Sequence, residues 1–328
     1  MNRLLLIGGS GFVGTRLLER VRQSHHCMLF DKQVNDAFAA ITIQGDVRDL
    51  QALKGAMRHA DTVVLLAAEH RDDVQPVSLY YDVNVEGARN VLAAMDECGV
   101  TRIIFTSSVA VYALGTSGAL SEEHPTAPWN HYGKSKLAAE DLLREWCESG
   151  AGRSLVIVRP SVIFGEGNRG NVYNLLRQIA SGRFMMIGSG QNRKSMAYVG
   201  NVSAFIEFLI ENMGAGQQLF NYVDMPDLSM SSLVSLVGES LGRSASRLRL
   251  PYSLGMLGGY GCDLIARISG RKLPVSAVRV KKFCAATRFD ATRAHSCGFV
   301  PPCTLEEGLR ITLKSEFDGE IRIGQIPG

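Results

Sequence analysis

The stretch Leu4-Leu5-Leu6-Ile7-Gly8-Gly9-Ser10-Gly11-Phe12-Val13-Gly14 constrains the fold of this chain more than any other. A short apolar run ends in glycines at 8, 11 and 14, and an amphipathic stretch from Phe12 to Arg22 follows. That pattern reads as strand, tight turn, helix. Gly8 permits the turn, Gly11 lets the backbone approach a pyrophosphate, and Gly14 lets helix and strand pack closely. The helix amino terminus, with Phe12 and Val13, then faces the phosphates with unpaired N–H groups. The spacing is G-x-x-G-x-x-G rather than the commoner G-x-G-x-x-G. Asp31 closes the next apolar run, Cys27-Met28-Leu29-Phe30. It lies about 20 residues past the glycines, where a carboxylate can bind the adenosine ribose hydroxyls. A carboxylate there repels a 2′-phosphate and favours NAD over NADP, although Lys32 beside it works the other way.

Short β-rich runs alternate with helical patterns through the first half. Strands are expected at 3–7, 27–31, 41–44, 62–66, 102–106 and 154–159, with helices at 12–23, 77–98 and 133–149. This alternation implies a doubly wound α/β fold, a parallel sheet with helices on both faces. Past Arg159-Pro160 the pattern breaks up, with helices expected at 171–181, 201–212, 229–241, 252–268 and 304–316. Residues 1–160 form the dinucleotide-binding domain on this reading. Residues 161–328 are mainly a smaller C-terminal α/β substrate lobe, with a segment near 195–225 returning to the main domain.

The 328 residues, 46% hydrophobic and 20% charged, suit a globular protein with an ample core. A net charge of +3, with its cations scattered, argues against a nucleic-acid partner. Seven cysteines show no C-x-x-C pair, and no histidine or carboxylate cluster has ligand spacing. Reduced thiols, a cytoplasmic location and no metal site are therefore expected. The N-terminal apolar run leads straight into the glycine turn rather than forming a signal peptide. Asp263 and Arg267 interrupt the apolar stretch Pro251 to Gly270, which predicts an amphipathic helix over a pocket and no membrane span.

Tyr132 and Lys136, in His131-Tyr132-Gly133-Lys134-Ser135-Lys136, carry chemistry. Four residues apart on a helix, they leave one face about a turn apart. A free tyrosine, with a pKa of about 10, is a poor base at neutral pH. A neighbouring ammonium favours the phenolate and moves it towards the working range. Alone, the pair also fits a surface aromatic beside a solvated lysine.

Taken together these residues resemble the extended short-chain dehydrogenase/reductase superfamily, in its branch of NAD-dependent sugar epimerases and dehydratases with a Rossmann-type sheet. Gly45-Asp46-Val47-Arg48-Asp49 resembles the segment that holds the adenine, with Asp46 and Val47 as contacts, although Asp46 also fits a plain turn. Leu65-Leu66-Ala67-Ala68 resembles the strand whose end, Leu66 to Ala68, lines the nicotinamide ribose. Asn84 falls where the family keeps an asparagine in its central helix, and Pro160 joins the cofactor contacts. Thr106-Ser107-Ser108-Val109-Ala110-Val111-Tyr112 resembles the serine-bearing fifth strand. Ser108 matches the catalytic serine there, with Ser107 as the alternative if the register slips. The segments Arg288-Phe289-Asp290, Cys297-Gly298-Phe299-Val300-Pro301 and Leu305-Glu306-Glu307-Gly308 resemble the family's closing stretch.

The resemblance implies that Tyr132 takes a hydroxyl proton while hydride moves to the nicotinamide. Lys136 would acidify Tyr132 and hold the ribose, and Ser108 would hydrogen-bond the reacting oxygen. Ser108, Val109 and Tyr132 would contact substrate, with His70 as a contact or a rim residue. Arg193 and Lys194 would bind a diphosphate, or form a solvated basic turn. Arg159 is either a surface cation or structural. Ser108-Val109-Ala110 lacks the acids of the dehydratases, which points to a nucleotide-sugar epimerase, acting at C4, in polysaccharide biosynthesis. Val162 stands where many nucleotide-sugar members have asparagine. Residues 251–282 have some resemblance to the 3β-hydroxysteroid dehydrogenase branch. A net dehydrogenase or reductase of a keto-sugar or sterol-like substrate is therefore the second reading, and a non-catalytic NAD-binding regulator the third. The family's four-helix interface implies a homodimer, with Leu79, Val83, Leu142 and Leu143 at its seam.

Overall fold

The computed structural model describes residues 1–71, 73–113, 118–182, 184–242, 249–269 and 276–323. Seven parallel strands form the main sheet. They are β1 (Arg3–Ile7), β2 (His26–Asp31), β3 (Thr42–Gln44), β4 (Thr62–Leu65), β5 (Arg102–Thr106), β6 (Ser154–Pro160) and β7 (Gly216–Tyr222). Their spatial order is β7-β6-β5-β4-β1-β2-β3. The order reverses between β1 and β4, the point where open α/β sheets leave a crevice at their carboxyl ends.

Strand periodicity decides which helix covers which face. Leu4 and Leu6 of β1 point into one core with α1 (Phe12–Val21) and α6 (Val199–Glu211). Leu5 and Ile7 point into the other, with α2 (Leu50–Met57), α3 (Gly87–Cys98) and α4 (His131–Glu148). With both faces covered, a strand such as Ser154–Pro160 is buried at every residue. The expected doubly wound α/β arrangement holds.

Two differences stand out. The expected helix 77–98 is interrupted: Ser78–Tyr81 is α-helical, Asp82–Glu86 is a π turn, and only then does α3 begin. Asn84, inside that turn, bonds through its side chain to the Glu69 backbone and to Ser135 Oγ. The second difference is β7, absent from the expected strands because Gln217, Gln218 and Asn221 dilute its apolar pattern. It pairs in parallel with β6 from Gly216–Ser154 to Tyr222–Pro160.

In the lobe, α5 (Asn171–Ala180), α7 (Met230–Ser240) and α10 (Leu305–Ile323) close a third core around the paired strands Val162–Phe164 and Met196–Tyr198. Helices α8 (Tyr252–Ser269) and α9 (Ala277–Cys284) lie between α7 and α10 in the chain, followed by a single helical turn at Thr292–Ser296. Among the described residues no helix is long and apolar enough to cross a membrane.

Candidate active site

The glycine turn is shaped as its spacing requires. Gly8 has φ of 84°, and a Cβ on it would sit 2.5 Å from the Ala67 nitrogen. A Cβ on Gly14 would lie 2.5 Å from the Gly9 carbonyl oxygen, so its close contact is with the turn itself. Gly11 is the N-cap of α1, and a Cβ there would meet only the Gly8 oxygen, at 3.2 Å. That side of the turn is left to a phosphate, facing the first N–H groups of α1 around Phe12 and Val13. Ser10 Oγ is buried in the turn and has no partner among the described residues.

Around the turn stand the other residues expected to hold NAD. The Asp31 carboxylate accepts from the backbone N–H of Ser10 and of Gln33, each at 3.0 Å, which fixes it at the rim of the turn. Asp46 makes a two-point ion pair with Arg48, whose guanidinium holds the carboxyl below its ordinary pKa. That carboxylate is a turn element, beside the buried Val47. After β4, the N–H groups of Leu66 and Ala67 both donate to the Ile7 carbonyl, at 2.8 and 2.9 Å, and Ala68 continues that crossing. Asn84 is buried, accepts from the Glu69 N–H at 2.8 Å and donates to the Glu69 carbonyl at 3.0 Å. Its amide also donates to Ser135 Oγ at 2.8 Å, which in turn donates to the Tyr132 carbonyl at 2.8 Å. Pro160 ends β6 in the core. Glycine clearance, a fixed carboxylate and a helix amino terminus together fit a dinucleotide.

Helix α4 carries Tyr132 and Lys136 and packs against the turn that follows Ser108. Asn130 caps it by accepting from the Gly133 N–H at 2.8 Å. A Cβ on Gly133 would lie 2.2 Å from the Ala110 carbonyl oxygen, so the helix lies directly against the turn that follows Ser108. Ser108 Oγ accepts from the Ala110 N–H at 3.1 Å, which fixes its direction at the same contact. Lys136 is 2% exposed, donates to the Thr106 carbonyl at 2.8 Å and sits over the Phe105 ring. Gly133→Ala is expected to push Tyr132 away from Ser108 and lower kcat at least about 100-fold. Steady-state kinetics, with a melting curve as the fold control, check this; an unchanged kcat would show that the close contact does not set the geometry.

Burial pulls the Lys136 amine from 10.5 to about 7, with the Glu140 carboxylate opposing the shift. Below about 7 the native state bears the full penalty of a buried ammonium. Between that value and 10.5 the unfolded chain binds a proton that the native chain has shed, so stability rises with pH across the window. Lys136→Met cannot titrate and is expected to flatten this part of the slope. Urea unfolding without NAD, at several pH values in the window, makes the comparison, and equal slopes would contradict it.

Glu140 was not foreseen, yet it is the centre of the site's support. Fully buried, it takes a two-point ion pair from Arg159, at 2.9 and 2.5 Å, and a hydrogen bond from Ser107 Oγ at 2.5 Å. Ser107 is thereby engaged in the core, and Ser108 is the serine presented at the strand end. Arg159 is structural rather than a surface cation. It also donates to the Tyr112 hydroxyl, which donates to Asn221 Oδ1 on β7, both at 2.8 Å. A signal was available: Tyr132, Lys136 and Glu140 form an i, i+4, i+8 stripe on one face of α4.

On the expected substrate side, Val109 is partly buried against the sheet core and His70 is exposed. Arg193 donates to the Asp227 carbonyl. Lys194 donates to the Ala285 carbonyl at 3.1 Å, and burial lowers its pKa. Both cations thus brace lobe segments. Val162 is 40% exposed. The apolar residues expected at a dimer seam pack into the chain's own core, with Val83 and Leu143 buried and Leu79 and Leu142 beside them. Among the described residues no group of three or more histidine, cysteine, aspartate or glutamate side chains could hold a metal ion.

A dinucleotide cradle opposite a tyrosine–lysine helix defines an NAD-dependent enzyme. The chain belongs to the NAD-dependent epimerase/dehydratase family, whose model matches residues 4–222. It is 59% identical, over 96% of each chain, to the N-acetyl-alpha-D-glucosaminyl-diphospho-ditrans,octacis-undecaprenol 4-epimerase of Escherichia coli O157:H7. It is 28% identical to the UDP-glucose 4-epimerase of Vibrio cholerae, over 95% of this chain and 94% of that one. The solved UDP-glucuronic acid 4-epimerase of Bacillus cereus, in complex with NAD, shares the fold at a TM-score of 0.74, 18% identity and coverage of 99% and 100%. The expectation of an NAD-dependent sugar epimerase is supported, and the dehydrogenase and regulator readings are not.

Proposed function

We propose that the chain inverts C4 of an N-acetylhexosamine carried on a polyprenyl diphosphate. The observation that carries this reading is the 59% identity, spanning nearly the whole of both chains, to an enzyme named for that reaction. Bound NAD supplies the acceptor and donor of hydride. Tyr132 takes the proton of the C4 hydroxyl during oxidation and returns it after the 4-keto sugar has turned over in the site. Ser108, held by the Ala110 N–H, donates to the same oxygen where charge develops. Lys136, one helical turn from Tyr132 and held by the Thr106 carbonyl over the Phe105 ring, favours the Tyr132 phenolate whenever its amine is protonated.

The test is to incubate the purified protein and NAD with undecaprenyl-diphospho-N-acetylglucosamine and, separately, with UDP-N-acetylglucosamine and UDP-glucose. Chromatography of the sugars released by acid identifies the products. Interconversion of the lipid-linked sugar is expected. Turnover of the UDP-sugars alone would overturn the lipid carrier and leave a nucleotide-sugar 4-epimerase.

We also propose a cytoplasmic homodimer. The cysteines at 27, 98, 147, 262, 284, 297 and 303 are all free thiols, which suits a reducing compartment. A light-scattering mass of one chain would overturn the dimer, and oxidised cysteines in cells would overturn the compartment.

A further inference from the structure

Helix α8 is inverted relative to an ordinary surface helix. Its packed side carries small residues: a Cβ on Gly255 would lie 2.5 Å from Ile187 Cγ2, and one on Gly259 would lie 2.7 Å from the Ala277 Cα. Its outward side carries the bulk, with Leu254 52% exposed, Leu257 68%, Tyr260 62% and Ile265 56%. At 3.6 residues per turn, Leu254, Leu257, Gly261 and Ile265 fall on one stripe, with Tyr260 at its flank. Val278, on the neighbouring α9, is also exposed. A surface helix normally turns such residues inward, so an outward apolar face marks an interaction surface.

The charge of the sequence segment that carries this face identifies the partner. Residues 249–284 contain seven lysines and arginines and one acid, Asp263, a net +6 in a chain of net +3. The rest of the protein is therefore net negative. Arg249, Arg267, Arg279 and Lys281 are exposed, whereas Asp263 is turned towards α9 and accepts from the Ala277 N–H at 3.0 Å. An apolar stripe with tyrosine at its edge and cations around it matches the interface of an anionic bilayer. A second copy of this chain would bring the same cations against each other.

We propose that α8 lies on the surface of an anionic lipid bilayer, with Leu254, Leu257, Tyr260 and Ile265 in the headgroup–acyl boundary and the surrounding cations on the headgroups. The binding follows from this surface. Its use, taking a lipid-linked sugar directly from the bilayer, rests on the reaction proposed above.

Sedimentation of the full-length protein with vesicles, without any sugar substrate, tests the binding independently of the reaction. Vesicles of equimolar phosphatidylcholine and phosphatidylglycerol are expected to carry the protein down, and vesicles of phosphatidylcholine alone to bind it at least about tenfold more weakly. The double variant Leu257→Glu/Ile265→Glu changes exposed positions, and its melting curve serves as the fold control. It is expected to lose at least about tenfold in affinity for the anionic vesicles. Absence of vesicle binding, or equal binding by wild type and variant, overturns the proposal. So does a dimer that the variant converts to a monomer, which would make a second copy the occupant. Vesicle binding without turnover of the lipid-linked sugar would leave this surface standing and remove the reaction.

Discussion

Tyr132→Phe is expected to lower kcat for sugar inversion by about 10²–10⁴-fold, the range typical of losing a positioned acid–base group. Only one oxygen is removed. The helix keeps its Asn130 cap, its Gly133 contact with Ala110 and the Ser135 hydrogen bond to the Tyr132 carbonyl, none of which uses the phenol. The fold should therefore survive, and NAD should still bind within a few-fold of wild type. Turnover of the lipid-linked sugar measures the loss, and fluorescence titration measures cofactor affinity. A kcat within about tenfold of wild type would place the acid–base work on another residue.

Glu140→Ala is expected to cost about 3–5 kcal/mol of stability, because it leaves the 3%-exposed Arg159 guanidinium without its carboxylate in the core. The variant also strips Ser107 of its acceptor and opens a gap between α4 and β6. A second consequence is chemical. The Glu140 carboxylate opposes the downward shift of the Lys136 amine, so removing it should move any Lys136-dependent limb of the pH–rate profile further down. Urea unfolding reads the first effect, and the profile of surviving activity reads the second. A stability within about 1 kcal/mol of wild type would mean that water can take the place of the carboxylate beside Arg159.

What the sequence disclosed and what it hid divide along physical lines. The glycine turn was legible because Gly8 and Gly14 answer local steric demands, a positive φ and a backbone contact, that no other residue meets. Tyr132 and Lys136 were legible because four-residue spacing on a helix is a local rule. Glu140 stands on that same face, but its partner Arg159 lies on a strand 19 positions away, and nothing local announces that the two are buried together. The π turn at Asp82–Glu86 was hidden for a similar reason. It contains no proline or glycine, and it forms where Asn84 bonds to Glu69 and Ser135, which are distant in sequence. β7 was missed because it lies at the sheet edge, where one flank tolerates Gln217 and Gln218. The surroundings of the lobe cations were hidden in a different way. Arg193 and Lys194 resemble a diphosphate clamp in sequence, and their hydrogen bonds to the Asp227 and Ala285 carbonyls, 34 and 91 positions away, could not be read from it.

The sheet's last strand arrives late in the chain, and this has a consequence for dissection. A gene cut after codon 160 would encode every residue expected to carry the chemistry, yet it would lack β7. Ser154–Pro160 would then present an uncovered row of amide and carbonyl groups, and Tyr112 would lose the Asn221 acceptor that completes the buried relay from Glu140. Such a fragment invites edge-to-edge aggregation rather than acting as a stand-alone cofactor module. The two halves of this enzyme are one unit of inheritance, and recombination between relatives should be tolerated at the outer loops of the lobe before it is tolerated at the apparent border near Pro160.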